Sequence, residues 1–199
     1  MVDAPDVTIR RSRVIGHGSV GFGIRTTANG SVRIEDSTLS GEFPEAAVGG
    51  DRWSAERIEI AAVSADGAHL GAGSRLRNSR VHDVGTGPGG EARAVLLGGD
   101  GPVLLEDNVI DVGGPTRPGS AVLLAPGPSG ADSPVVIRGN VLGGGRWILR
   151  EDAAGIGDAQ ILITGNRFRR DPEQQPLRVS GDAVLTDNSY LDGGALPQR

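Results

Sequence analysis

The chain has 199 residues, a formal net charge of -5, 37% hydrophobic and 3% aromatic content, which supplies a continuous core and argues against a disordered chain or a nucleic-acid surface. It contains no Cys, and all 20 basic residues are Arg; disulfides, thiolate chemistry, Cys-held zinc, Schiff-base lysines and P-loop phosphate binding are thereby excluded. The 33 Gly and 12 Pro punctuate short apolar segments and form no low-complexity block, a pattern of short strands joined by turns.

One unit recurs along the chain: two or three β-formers, two polar residues, then Ser or Asn before another short strand. It reads Val7-Thr8-Ile9-Arg10-Arg11-Ser12, then Val32-Arg33-Ile34-Glu35-Asp36-Ser37, a degenerate Ala55-Glu56-Arg57-Ile58, and Arg75-Leu76-Arg77-Asn78-Ser79. It continues as Val103-Leu104-Leu105-Glu106-Asp107-Asn108, Val135-Val136-Ile137-Arg138-Gly139-Asn140, Leu162-Ile163-Thr164-Gly165-Asn166 and Val184-Leu185-Thr186-Asp187-Asn188. The turn column is therefore Ser12, Ser37, Ile58, Ser79, Asn108, Asn140, Asn166 and Asn188, at spacings of 21 to 32 residues. Asn and Ser suit such a bend, because Asn tolerates left-handed backbone and both side chains hydrogen-bond along a stacked column.

A second strand precedes each turn, as in Gly23-Ile24-Arg25-Thr26, Ala47-Val48-Gly49, Ala68-His69-Leu70, Ala94-Val95-Leu96-Leu97, Ala121-Val122-Leu123-Leu124, Trp147-Ile148-Leu149-Arg150 and Leu177-Arg178-Val179. These form a front sheet. A third strand follows the turn, as in Arg13-Val14-Ile15 and Arg167-Phe168-Arg169. One coil of a three-strand solenoid takes roughly 20 to 30 residues, so the fold expected is all-β: a single right-handed parallel β-helix of about eight rungs, forming one domain over residues 1–199. The Val and Ile pairs differ from a leucine-rich repeat, and the Gly-Gly-x-Gly-x-Asp runs of a Ca²⁺-binding β-roll are missing.

At Asn140-Val141-Leu142-Gly143-Gly144-Gly145, Thr164-Gly165-Asn166-Arg167-Phe168 and Pro176-Leu177-Arg178-Val179-Ser180-Gly181 the chain resembles secreted actinobacterial parallel β-helix proteins of the pectate-lyase-like superfamily. The resemblance covers nearly the whole chain and implies a polysaccharide-related role by analogy of fold. Relatives of this shape carry a His-Asn-Asp-Gly type segment where this chain reads Gly90-Glu91-Ala92-Arg93-Ala94-Val95-Leu96, so that Glu91 stands for the His, Arg93 for the Asp and Leu96 for a Gln. The Trp-Ile-Asp-His signature is missing too.

The front-sheet region offers few groups for chemistry. Its acids are Glu45, Asp51, Asp66, Glu91 and Asp100, scattered over several rungs with no pattern of Ca²⁺ ligands. Of the three His, His17 and His82 (followed by Asp83) read as loop contacts, whereas His69 alternates outward between Ala68 and Leu70 within reach of Asp66 and Arg93. The candidate catalytic residues are therefore His69, Asp66, Glu91 and Arg93, with no metal site and no cofactor motif.

Strict alternation puts Arg25, Val48, His69, Leu96, Leu123, Leu149 and Arg178 on the outer face beside Trp147, with an apolar centre. These are the candidate ligand-binding residues. The same strip would suit a second chain, a covering loop drawn from Gly113 to Ser120 or Pro126 to Pro134, or a register error of one residue. The expected partner is a polysaccharide or small-molecule ligand, with homo-oligomerisation through the front sheet as the alternative, and neither nucleic acid nor a membrane. If catalytic, the chain would be lyase- or hydrolase-like, or an enzyme on a smaller apolar substrate. Its polar start reads as cytoplasmic, or as secreted if the chain is cut from a longer precursor. Far-UV circular dichroism is expected to show a β spectrum, because no segment sustains a 3.6-residue apolar period; a helical spectrum would overturn the assignment.

Overall fold

A computed structural model of the chain describes residues 1–88, 91–98, 101–113, 119–125, 134–152, 160–170, 175–179 and 182–196. Asp100, most of the Pro126–Pro134 segment and the centre of the Gly113–Ser120 segment lie outside the described residues. Among these residues there is no helix, and every named strand pair is parallel. The chain is a parallel β-solenoid with three sheets.

The first sheet stacks β1 (Val7–Arg10), β4 (Val32–Glu35), β7 (Trp53–Glu56), β10 (Arg75–Arg77), β13 (Val103–Glu106), β16 (Val135–Arg138), β19 (Ile161–Thr164) and β22 (Val184–Thr186). The second stacks β2 (Arg13–His17), β5 (Thr38–Glu42), β8 (Glu59–Val63), β11 (Arg80–Val84), β14 (Val109–Asp111), β17 (Val141–Gly143), β20 (Arg167–Phe168) and β23 (Ser189–Tyr190). The third runs from β3 (Phe22–Arg25) through β6 (Ala46–Gly49), β9 (Asp66–Leu70), β12 (Ala92–Leu97), β15 (Gly119–Leu124) and β18 (Trp147–Glu151) to β21 (Leu177–Arg178). Ile34, Leu76, Leu105, Ile137 and Ile163 of the first sheet meet Ile60, Val81, Ile110, Leu142 and Phe168 of the second in one core.

The turn column between the first two sheets is a hydrogen-bond ladder, interrupted at one rung. Backbone N–H groups donate to the side chain one rung ahead: Ser12 to Ser37 Oγ, Ile58 to Ser79 Oγ, Ser79 to Asn108 Oδ1, Asn108 to Asn140 Oδ1, Asn140 to Asn166 Oδ1 and Asn166 to Asn188 Oδ1, at 2.9 to 3.1 Å. Asn140 Nδ2 also donates to the carbonyls of Leu105 and Arg138 at 2.9 and 3.0 Å, which satisfies a buried amide completely. The rung at Ile58 breaks the side-chain ladder, since an alkyl group accepts nothing; Ile58 joins the core instead.

The left-handed residue is not the ladder residue, as expected, but the one before it. Arg11, Asp36, Arg57, Asn78, Asp107, Gly139, Gly165 and Asp187 all have φ between 46° and 66°. Placing the bend there lets the Ser or Asn point inward and stack.

The outer column of the first sheet pairs opposite charges across rungs. Arg10 lies 2.9 Å from Glu35, and Arg77 2.9 Å from Glu56, while Arg57 reaches back to Asp36 at 2.7 Å. Hydrogen bonds from Arg57 and Arg77 hold the Asp36 and Glu56 carboxyls below their usual range. What stability they add is present above that range and lost as acid takes the pH through the lowered values.

The third sheet departs from strict alternation. Ala47 and Val48, Ala94 and Val95, Ala121 and Val122, and Ile148 and Leu149 are consecutive residues that all belong to the core. Pairing skips one residue at the same point in each strand: Phe22 lies opposite Ala46 and then Ile24 opposite Val48, Arg93 opposite Ser120 and then Val95 opposite Val122. Val48 and Leu149 are therefore fully buried and not on the outer face. The outer column is instead Arg25, Gly49, His69, Leu96, Leu123, Arg150 and Arg178.

Two measurements check this register. Leu149→Asp buries an unpaired carboxylate and is expected to unfold the protein, whereas Leu96→Asp leaves a cooperative melt. Asn140→Ala strands Asn108 N–H and the Leu105 carbonyl and is expected to cost about 3 kcal/mol in denaturant unfolding.

Candidate functional site

Because two neighbouring residues turn inward at the middle of each third-sheet strand, each strand presents two outward positions three residues apart. The first positions form the column Phe22, Ala46, Asp66, Arg93, Ser120 and Trp147, and the second form the column that contains His69. Asp66 and His69 are thus the two outward groups of one strand, and the spacing brings their side chains together.

Asp66 is 3% exposed, so its charge depends on its partners. Its Oδ1 accepts the backbone N–H of Arg93 at 2.8 Å, and its Oδ2 lies 2.8 Å from His69 Nε2. Arg93 Nε sits 2.9 Å from the same Oδ2, but its N–H is not aimed at it and makes no hydrogen bond. In the neutral tautomer that this contact fits, Nε2–H donates to the carboxylate and Nδ1 carries the lone pair. That tautomer follows from the hydrogen-bond network. The ring is held edge-on against Phe22, centroids 5.5 Å apart, and Phe22 carries the Arg25 guanidinium at 4.9 Å. Gly49 makes room for this stack, since a Cβ there would lie 2.3 Å from the Phe22 ring.

Asp66, His69 and Arg93 line a cleft of about 270 Å³ that also includes Pro44, Glu45, Ser64 and Glu91. The cleft brings together all four residues singled out from the sequence as catalytic candidates: Asp66, His69, Glu91 and Arg93. Glu91 faces away from the pair to the extent that its Oε2 takes a 2.6 Å hydrogen bond from Arg150 Nη2. Farther along the column, Trp147 lies under the Arg178 guanidinium at 5.4 Å. Leu96 is half-buried, and Leu123 is buried at 3% exposure, outside the main cluster of core side chains.

Three contributors escaped sequence reasoning. Arg150 was hidden by alternation, which put Leu149 in its place. Phe22 and Ser120 precede the strand segments that the repeat defines.

Other candidates separate from this cleft. His82 lies 2.7 Å from Asp83 and 3.1 Å from Glu59 on the second sheet, an ion cluster at the surface. Asp51 accepts the backbone N–H of Ala72 at 2.8 Å and ties its turn to that of the next rung. A broader groove of about 710 Å³ follows the turn column; of its charged groups, Asp36 pairs with Arg57, and Glu59 lies 3.1 Å from His82 beside it. The cleft at Asp66 is the better candidate because it holds a buried carboxylate aimed at an accessible imidazole. Among the described residues no three His, Cys, Asp or Glu side chains are placed to hold a metal ion. No protein-family model matches the chain, and no curated protein is significantly similar to it.

The arrangement separates a structural from a reactive role. Asp66→Ala is expected to cost about 1–3 kcal/mol of stability, because it strands the Arg93 N–H, while His69→Gln leaves the melting temperature unchanged. Equal losses in both variants would assign His69 to the scaffold.

Proposed function

We propose that the outer face of the third sheet is a carbohydrate-binding surface and that His69, oriented by Asp66, is its general base. One observation carries the reading: the polar groups Asp66, Arg93 and Ser120 occupy the middle of a column whose two ends are the aromatic rings of Phe22 and Trp147. Five strand spacings separate the ends, about 24 Å at ~4.8 Å each, which suits an extended oligosaccharide better than a compact metabolite. Aromatic faces stack on the C–H faces of sugar rings, and the guanidinium groups of Arg25 and Arg178 extend each platform with hydrogen-bond donors.

In this reading the neutral His69 takes a proton from the bound sugar at Nδ1, and the Asp66 carboxylate stabilises the imidazolium that forms. The resemblance to the pectate-lyase-like superfamily supports the same substrate class by analogy of fold. Association through an apolar front face loses its main support, because with Val48 and Leu149 in the core the apolar strip shrinks to Leu96 and Leu123.

Calorimetry against a panel of neutral and uronate-containing oligosaccharides, paired with a product assay, tests the proposal. Phe22→Ala and Trp147→Ala are expected to weaken binding by about fivefold each, and His69→Gln to keep binding but lower turnover by about 10²- to 10⁴-fold. Failure of every oligosaccharide to bind would sink it.

A further inference from the structure

We propose that the Glu91–Arg150 ion pair is a displaceable clasp over an oxyanion slot, in which a carboxylate or sulfate group of the ligand replaces Glu91 on Arg150. The inference rests on the carbohydrate reading only for the body that carries the oxyanion.

The clasp follows from topology. Glu91 stands immediately before β12 and Arg150 lies in β18, and the strand between these two is β15. Their 2.6 Å contact, between residues 59 apart in sequence, therefore crosses the outer face of β15. That face carries Ser120, flanked by Arg93 and Trp147, and Leu123, flanked by Leu96 and Arg150. Ser120 is 0% and Leu123 3% exposed, although the register places them in the two outer columns.

Three donors on these strands make no hydrogen bond, although Arg93 Nε lies within ion-pair distance of Asp66, at 2.9 Å. They are Ser120 Oγ, Arg150 Nε and Arg93 Nε, all buried. A buried polar group without a partner is costly and uncommon, and one explanation for it is a missing ligand. All three have a hydrogen to give, and two belong to guanidinium groups, so the group that would satisfy them is an anion with two or more oxygens in a plane or tetrahedron.

Glu91 already shows what such a group looks like, for its carboxylate is an oxyanion bound to Arg150. The two sides of the pair are unequal: the Arg150 side chain is 21% exposed and that of Glu91 47%. The arginine is the fixed partner and the glutamate the movable one, held by a half-exposed ion pair that exchanges readily. A ligand oxyanion that displaces it gains the unpaired Ser120 Oγ as well, with which Glu91 makes no hydrogen bond. Glu91 then acts as a competitor for the slot and not as a catalytic acid, which reverses the expected effect of removing it.

The test is calorimetry at fixed ionic strength with glucuronate, sodium sulfate and glucose, on the wild type and the variants Glu91→Gln, Ser120→Ala and Arg150→Gln, with thermal melts as the folding control. Glu91→Gln is expected to bind glucuronate, sulfate or both roughly three- to fivefold more tightly than wild type, Ser120→Ala more weakly, and Arg150→Gln not at all. Preference for sulfate or for glucuronate identifies which oxyanion the ligand bears. Should Arg150→Gln fail to fold, Arg150→Lys keeps the charge, loses Nε and is expected to weaken both anions. Unchanged or weaker anion binding in Glu91→Gln, or binding of glucose that follows the same variants, overturns the slot. If the anions follow the expected order while no oligosaccharide binds, the slot stands and the carbohydrate reading falls.

Discussion

A solenoid has no closed sheet to fix its register, so each coil must be told where to stop relative to the last. Here the column of Ser and Asn at the bend between the first and second sheets does this. Each side-chain oxygen accepts the N–H of the preceding rung, and each Asn amide donates to backbone carbonyls of its neighbours. A slip of one residue would strand a buried amide at every rung of the ladder, whereas the spacing between its members varies by up to eleven residues without disturbing it. The core, the charge pairs of the first sheet and the outer face of the third all inherit their register from this column.

The third sheet uses that fixed register in an unusual way. Two consecutive inward residues, the first small in most rungs, tilt the strand so that its outward groups fall three apart. Polar side chains three apart on one strand then share a face and meet, as Asp66 and His69 do at 2.8 Å. Ordinary pleating would have sent them to opposite faces. The same bend takes Val48 and Leu149 into the core and brings Gly49 and Arg150 outward, turning an apolar strip into a face with guanidinium groups at both ends and in the middle.

Burial then sets the chemistry of that face. The Asp66 carboxylate is enclosed, and it is tolerated because a backbone N–H, an imidazole and a guanidinium surround it. Farther along the face the balance is inverted: Ser120 Oγ and Arg150 Nε are enclosed and make no hydrogen bond. A saturated site beside an unsaturated one is what a ligand surface needs, since the first holds its geometry and the second has free energy to gain on binding.

The repeat of Val, Ile and Leu pairs followed by Ser or Asn determined the three-sheet parallel solenoid and the ladder, because both depend on local pattern and near-constant spacing. It also marked His69, Asp66, Glu91 and Arg93, the few chemically capable side chains near one sheet. The facing of Val48, Leu149 and Arg150 was decided only by the tertiary structure, since a bend that turns two neighbours inward leaves the same apolar residues in the same order along the chain. The Glu91–Arg150 pair was equally invisible: its members lie 59 residues apart, and nothing but the stacking of β12, β15 and β18 brings them together.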